Sequence, residues 1–123
     1  MRNHADPSHR LAALVELGAL APVFFALGDQ TRMRLVALLC AGGALSITSL
    51  TAETHLTRQA VTKHLQVLAD AGIVRDLRQG RERLWQFEPA RIAEARAALD
   101  LIGQNWDGAL GRLKALVEAP ADD

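Results

Sequence analysis

The sequence predicts a mainly α-helical domain carrying one small β-hairpin and a long closing helix. Three observations predict it. Apolar residues recur at helical spacing through most of the chain. After Gly72 the pattern switches to β-branched and aromatic residues around a central glycine. From Ile92 to Leu116 an apolar seam then alternates three- and four-residue steps.

Taken in order, Ser8 is a helix cap ahead of Leu11, Leu14, Val15 and Gly18, and Pro22 restarts the path into Val23, Phe24 and Leu27. Asp29 caps a second helix, whose apolar stripe is read as Met33, Val36, Ala37 and Cys40 before Gly42 and Gly43 stop it. Leu45 to Ile47 reads as a short extended stretch. Thr48 or Ser49 then caps a brief helix through Leu50 and Ala52 toward His55. A turn at His55 and Leu56 leads to Thr57, another cap, and to a helix running to about Ala71 with Gly72 as its left-handed stop. On that helix Ala60, Val61, Leu65 and Leu68 form the apolar stripe. Arg58, Gln59, Thr62, Lys63 and Gln66 share the other face, and these are the residue types that hydrogen-bond base edges and phosphate oxygens.

Ile73, Val74 and Leu77 on one side of Gln79 and Gly80, with Leu84, Trp85 and Phe87 on the other, describe the hairpin. Its tip carries Arg78, Arg81 and Arg83 and is suited to a phosphate backbone or a minor groove. Pro89 fits the first turn of the last helix, whose seam is Ile92, Ala95, Leu99, Ile102, Trp106, Ala109, Leu113 and Leu116. A small domain has too little surface to cover a helix of about 45 Å at ~1.5 Å per residue, so the seam predicts dimerisation, against the alternative that it packs on its own domain. Gly103, Gly108 and Gly111 each lower helix propensity by up to about 1 kcal/mol, which predicts bending or fraying.

The chain has 123 residues, enough for one domain and too few for two independent ones. Hydrophobic residues make up 50% and charged residues 23%, an ordinary globular balance that excludes disorder and collagen-like repeats. Cys40 is the only cysteine, so no disulfide framework or cysteine-based zinc cluster forms within one chain; it reads as a buried small hydrophobe. The apolar stretch near Leu17 to Leu27 is too short to span a bilayer, and the N-terminus lacks a signal-peptide layout. A cytoplasmic protein with no membrane partner is expected.

The formal net charge is zero, with fourteen basic and fourteen acidic residues, but the balance is not local. Residues 1–56 sum to zero, residues 57–83 to plus three and residues 84–123 to minus three. The cationic middle is free to face phosphates, although a basic face alone is more often merely solvated.

Short helix, tight turn, polar-faced helix and basic hairpin together describe a winged helix-turn-helix, in which the second helix enters the major groove and the hairpin touches the flanking backbone. The runs Leu27-Gly28-Asp29-Gln30-Thr31-Arg32-Met33-Arg34-Leu35, Thr57-Arg58-Gln59-Ala60-Val61-Thr62-Lys63-His64-Leu65 and Leu68-Ala69-Asp70-Ala71-Gly72-Ile73-Val74 strongly resemble the ArsR/SmtB family of bacterial winged-helix repressors, over roughly Val23 to Leu116. The resemblance implies a homodimer, joined through its first and last helices, that binds a pseudo-palindromic operator. It also implies that Gln59, Thr62 and Lys63 lie toward bases or phosphates. The expected nucleic-acid contacts are Thr57, Arg58, Gln59, Thr62, Lys63, Gln66, Arg78, Arg81 and Arg83, and the expected dimer contacts are Ile92, Leu99, Ile102, Trp106 and Leu113. One structural domain then has three parts: an N-terminal arm and short helix (1–21), the DNA-binding unit (22–88), and the dimerisation helix with its tail (89–123).

Two departures from the family pattern stand out. His55 occupies a turn position where the family usually has Gly, and His tolerates the left-handed region better than most residues. Family members that sense arsenic, cadmium or zinc place a cysteine pair on the first helix of the DNA-binding motif, or Asp and His ligands on the last helix. Here Ala44-Leu45-Ser46-Ile47-Thr48-Ser49-Leu50 holds no cysteine, and nothing from Leu84 onward is His or Cys. No metal site and no cofactor are therefore expected. His4 and His9 offer at most an adventitious site on the N-terminal arm, and His64 reads as a hydrogen-bonded packing residue. Trp106-Asp107, with Leu110 and Leu113 following, is similar to a non-metal branch of the family often found beside genes for small ligand-binding proteins. That likeness leaves open an unknown small-molecule or protein effector.

The leading function is a sequence-specific, homodimeric transcriptional repressor. The alternative is a winged-helix protein-interaction module, an anti-repressor or heterodimer partner, without specific DNA binding. An enzyme is the remote third class. The sequence has no Gly-rich phosphate loop, no paired carboxylates in an apolar setting and no nucleophile with a nearby base, and Glu53 and Asp70 read as solvated helix residues.

Overall fold

Side-chain caps and left-handed stops divide the chain into its elements. The computed structural model describes residues 17–119. A helical turn at residues 17–19 is followed by α1 (Ala21–Leu27), α2 (Gln30–Gly42), β1 (Leu45–Ser46), α3 (Ile47–Thr54), α4 (Arg58–Asp70), β2 (Val74–Gln79), β3 (Glu82–Phe87) and α5 (Pro89–Glu118). The helix expected after Ser8, with Leu11, Leu14 and Val15, lies outside the described residues, as do His4 and His9.

Each helix start has a local chemical cause. Pro22 sits in the first turn of α1, where its missing N–H costs nothing. The Asp29 side chain accepts from Arg32 N, Ser46 from Ser49 N and Thr57 from Ala60 N, each satisfying one orphan donor of α2, α3 and α4. The cap of α3 is therefore Ser46, not Thr48 or Ser49. Those residues lie inside the first turn, because the helix starts directly out of the extended residue Ser46 (ψ 163°). His55 ends α3 with φ 58° and ψ 26°, the left-handed conformation its turn demands. Gly72, at φ 78°, ends α4 in a Schellman arrangement: Ile73 N donates to Leu68 O at 2.9 Å and Gly72 N to Ala69 O at 2.9 Å. Leu68 and Ile73, which that motif brings together, are both fully buried.

The core is one cluster. Val23 from α1, Leu35 and Leu39 from α2, Leu50 from α3, and Val61, Leu65 and Leu68 from α4 close around Ile73 and Trp85. The stripe read on α4 is the buried one, with Ala60 half-buried at its edge. The stripe read on α2 is not. Leu35 and Leu39 face inward, Met33 is 52% exposed, and Cys40 lies exposed rather than buried. That helix is apolar around most of its circumference from Met33 to Cys40, so spacing alone does not single out a face. The contacts with α3, α4 and β3 select the leucines.

Extended residues 45 and 46 turn out to be a third strand. The sheet order is β1-β3-β2, antiparallel throughout, with Leu45 opposite Trp85 and Ser46 opposite Leu84. Ser46 therefore serves both as a strand residue against β3 and as the cap of α3. The β2–β3 hairpin pairs Val74 with Phe87, Asp76 with Trp85, Arg78 with Arg83 and Gln79 with Glu82, leaving Gly80 (φ 66°) and Arg81 at the tip.

Helix α5 runs unbroken from Pro89 to Glu118 despite its three glycines. Only Ala95 and Ala98 are fully buried along it, and Ile92 packs against the core. Leu99, Ile102, Trp106, Leu110, Leu113 and Leu116 stand exposed. The seam thus packs on its own domain at its N-terminal end and is uncovered beyond Ala98. No described helix is long and apolar enough to cross a membrane.

Candidate nucleic-acid interface

Helix α4 stands at the surface with one side in the core and the other open. At 3.6 residues per turn, Arg58, Thr62, Gln66, Gln59 and Lys63 follow one another across an arc of about 140°. Arg58, Gln59, Lys63 and Gln66 are exposed and Thr62 is half-buried. Arg58, Gln59, Thr62 and Lys63 line one shallow, open depression of about 570 Å³.

The hydrogen bonds already made decide what each group has left to offer. Thr57 Oγ1 accepts from Ala60 N at 3.1 Å, which leaves its hydroxyl proton for an incoming acceptor. Thr62 Oγ1 donates to Arg58 O at 2.8 Å, so it presents oxygen lone pairs and a methyl group. Gln66 Nε2 donates to Asp70 Oδ1 at 2.9 Å, which turns its amide along the helix. Gln59 and Lys63 make no side-chain hydrogen bond among the described residues and keep their full donor sets. Arg58 Nη1 donates to Thr48 Oγ1 at 3.1 Å, tying the first turn of α3 to the first turn of α4. The angle between the two helices of the motif is held at their N-terminal ends.

A second tie fixes the far side of α4. Arg32 Nε donates to Ala26 O at 2.6 Å and Arg32 Nη2 to Phe25 O at 3.2 Å, placing a cation at the carbonyl end of α1. The same guanidinium lies 5.4 Å from the Phe25 ring centroid, and its Nη1 is 3.4 Å from His64 Nδ1. His64 Nδ1 is also 3.9 Å from Asp29 Oδ2. The Arg32 backbone N–H, more than the neighbouring Arg32 charge, holds the Asp29 carboxyl below its ordinary range against the opposing effect of burial. His64 is thus a hydrogen-bonded packing residue, as its position between the two faces predicts.

The hairpin brings its cations to one end of the molecule, though not all in one state. Arg78 and Arg81 are exposed with no ion-pair partner among the described residues. Arg83 is engaged: its Nε lies 2.9 Å from Asp76 Oδ2, and its guanidinium stacks 4.8 Å from the Trp85 ring centroid. Arg75, also on β2, pairs with Glu88 at 3.1 Å. Among the described residues, no group of three or more His, Cys, Asp or Glu side chains is placed to hold a metal ion.

Sequence reasoning did not single out Arg32 or Asp76, and it read Thr48 as a helix cap rather than as the acceptor for Arg58. Arg32 was legible only as a residue three after a cap. Asp76 acquires meaning only once the hairpin register sets it beside Trp85 and diagonal to Arg83.

Comparison with known proteins gives the same picture. Residues 27–76 match the model of a helix-turn-helix domain family. The HTH-type transcriptional regulator Rv2034 of Mycobacterium tuberculosis is 36% identical over 98 residues, covering 80% of this chain and 88% of the relative. Among solved structures, an ArsR-like transcriptional regulator from Rhodococcus sp. RHA1 superimposes with a TM-score of 0.73 at 33% identity, over 85% of this chain and 97% of that one. A homodimeric winged helix-turn-helix DNA-binding domain from Mycobacterium bovis, 20% identical with a TM-score of 0.55 over 89% of this chain and 95% of its own, shares the fold. Fold, exposed helix face and these relatives converge: the chain belongs to the ArsR family of winged helix-turn-helix transcriptional regulators.

Proposed function

We propose that the protein is a homodimeric repressor that reads a pseudo-palindromic operator. Helix α4 enters the major groove, with Gln59, Thr62 and Lys63 toward base edges and phosphates and with Thr57, Arg58 and Gln66 flanking them. Arg78 and Arg81 hold the backbone beside it, while Arg83, the third hairpin arginine, is held by Asp76 in the free protein. Two copies join along α5 through Leu99, Ile102, Trp106 and Leu113, with Ile92, packed on its own core, at the inner end of the seam. Residues 22–88 act as the DNA-binding unit, residues 89–123 as the dimerisation segment and residues 1–21 as the N-terminal arm. The chain does not sense metals through the family's usual cysteine or histidine positions, since residues 44–50 hold no cysteine and residues 84–123 hold neither His nor Cys. A small-molecule or protein effector remains compatible with this reading.

The observation that carries the reading is the division of α4. Val61, Leu65 and Leu68 are completely buried, while the Arg58–Gln59–Lys63 side is open and cationic. Support for the dimer comes from the uncovered apolar run on α5, where Trp106 is 62% exposed and Leu113 57%. The test is a footprint and a salt titration on the DNA beside the protein's own gene. A symmetric protected region with half-sites about one helical turn, ~34–36 Å, apart and affinity falling steeply with salt is expected. Salt-independent binding, or heterodimer formation with no preference among duplexes, would move the protein to the interaction-module reading.

A further inference from the structure

Hairpin register places Val74, Asp76 and Arg78 of β2 on the same face as Phe87, Trp85 and Arg83 of β3. Arg78 and Arg83 are direct cross-strand partners, and like charges directly opposite repel. Arg83 does not stay opposite its partner. Its guanidinium is drawn diagonally onto Asp76, with Nε to Oδ2 at 2.9 Å, and lies against the Trp85 ring. Trp85 is 1% exposed and anchored in the core, so the platform under Arg83 is fixed. One of the three hairpin-tip arginines is thereby neutralised and pinned by groups of its own face, while Arg78 and Arg81 keep theirs outward.

We infer that Asp76 is an affinity-setting residue of the hairpin: it withholds Arg83 from nucleic-acid phosphates, so that each hairpin contributes two cations to backbone binding rather than three. The inference rests on the nucleic-acid reading above and refines it. Backbone cations strengthen binding to every duplex alike, and base contacts supply the discrimination. A carboxylate that removes one backbone cation per hairpin lowers affinity for every duplex by the same factor and flattens the salt dependence, and a dimer does so twice. Asp76 and Arg83 are about half exposed, so substitution at either leaves the core intact.

The test is fluorescence anisotropy of a labelled random-sequence duplex, titrated across a salt series with the full chain. Each phosphate contact is worth about 0.9 in the slope of log affinity against log salt, or about 1.8 for two hairpins. Asp76→Asn frees Arg83 and is expected to steepen the slope by up to about 1.8, roughly tenfold in affinity over a fourfold change in salt. Arg81→Gln is expected to flatten it by about as much. The isoelectric double variant Asp76→Asn/Arg83→Gln removes the whole pair and is expected to match wild type within about twofold at every salt concentration. A double variant that flattens the slope as Arg81→Gln does would show Arg83 on a phosphate and overturn the inference alone. A double variant that binds as tightly as Asp76→Asn would assign the gain to the lost carboxylate and also overturn it. Wild-type protein with no salt-dependent DNA binding would overturn the inference together with the reading it refines. Far-UV circular dichroism and urea midpoints of all variants report the fold separately.

Discussion

Trp106 offers the sharpest test of the paired state. In a single chain it is 62% exposed on a helix whose neighbouring core contacts end at Ala98. An indole presents up to roughly 250 Å² of largely apolar surface, so about 150 Å² is uncovered here. At ~25 cal/mol per Å², complete burial is worth about 4 kcal/mol per copy. A two-fold interface counts it twice, and covering only half of that surface still leaves about 4 kcal/mol across the pair. Trp106→Ala is therefore expected to weaken dimerisation by about a thousandfold. Sedimentation equilibrium over a concentration series measures this directly. Far-UV circular dichroism should be unchanged, because the residue takes no part in the core of its own domain. An undiminished dimer constant would show that the outer half of α5 is not the seam, and the assignment of Leu99, Ile102 and Leu113 to it would fall as well.

Three further expectations follow from the geometry. Gln59→Ala or Thr62→Ala should relax preference for one duplex over another, whereas Arg81→Ala should weaken all duplexes alike; competition titrations that show equal losses for both classes would reverse the assignment of faces. His55→Gly relieves a left-handed residue at φ 58°, a strain of about 1–2 kcal/mol, against ~0.4–1 kcal/mol of added unfolded-state entropy. It should raise the urea midpoint by the equivalent of about 0.5–1 kcal/mol, and a lowered midpoint would mean that the imidazole makes a contact worth more than the strain. Finally, the carboxyl of Asp29 titrates below its unfolded value of 3.8, so the stability it lends is complete above that pH and is lost as acid carries it through the lower folded value. Urea midpoints measured down that acid limb should fall less steeply for Asp29→Asn than for wild type, and identical limbs would exclude the linkage.

The sequence was most informative where a short-range rule acts alone. Thr57 and Gly72 bracket α4 because a hydroxyl cap and a left-handed stop need only their near neighbours, and the contrast between Val61, Leu65, Leu68 and the Arg58 side is readable from period alone. It was least informative where tertiary contacts choose among equivalents. An α2 that is apolar nearly all round offers Met33, Val36 and Cys40 as plausibly as Leu35 and Leu39, and only the packing of α3, α4 and β3 decides. The start of α3 moved from Thr48 or Ser49 to Ser46 because the residue before the helix is held extended by β3, a strand nearly forty positions later. The candidate site divides along the same line. The open face of α4 and the basic hairpin were visible, but which arginines are already engaged was not, since that depends on register between two strands and on an aromatic ring beneath.

Residue 46 belongs at once to the sheet edge and to the start of α3, and Arg58 fastens that start to the helix proposed to read the groove. Hairpin and reading helix are consequently parts of one stiff bracket. A bracket of fixed span tolerates no slippage along its target. Inserting a single base pair between the stretch met by the helix and the stretch met by the hairpin should abolish the fit, whereas altering the spacer between the two halves of the palindrome tests the flexibility of the paired subunits instead.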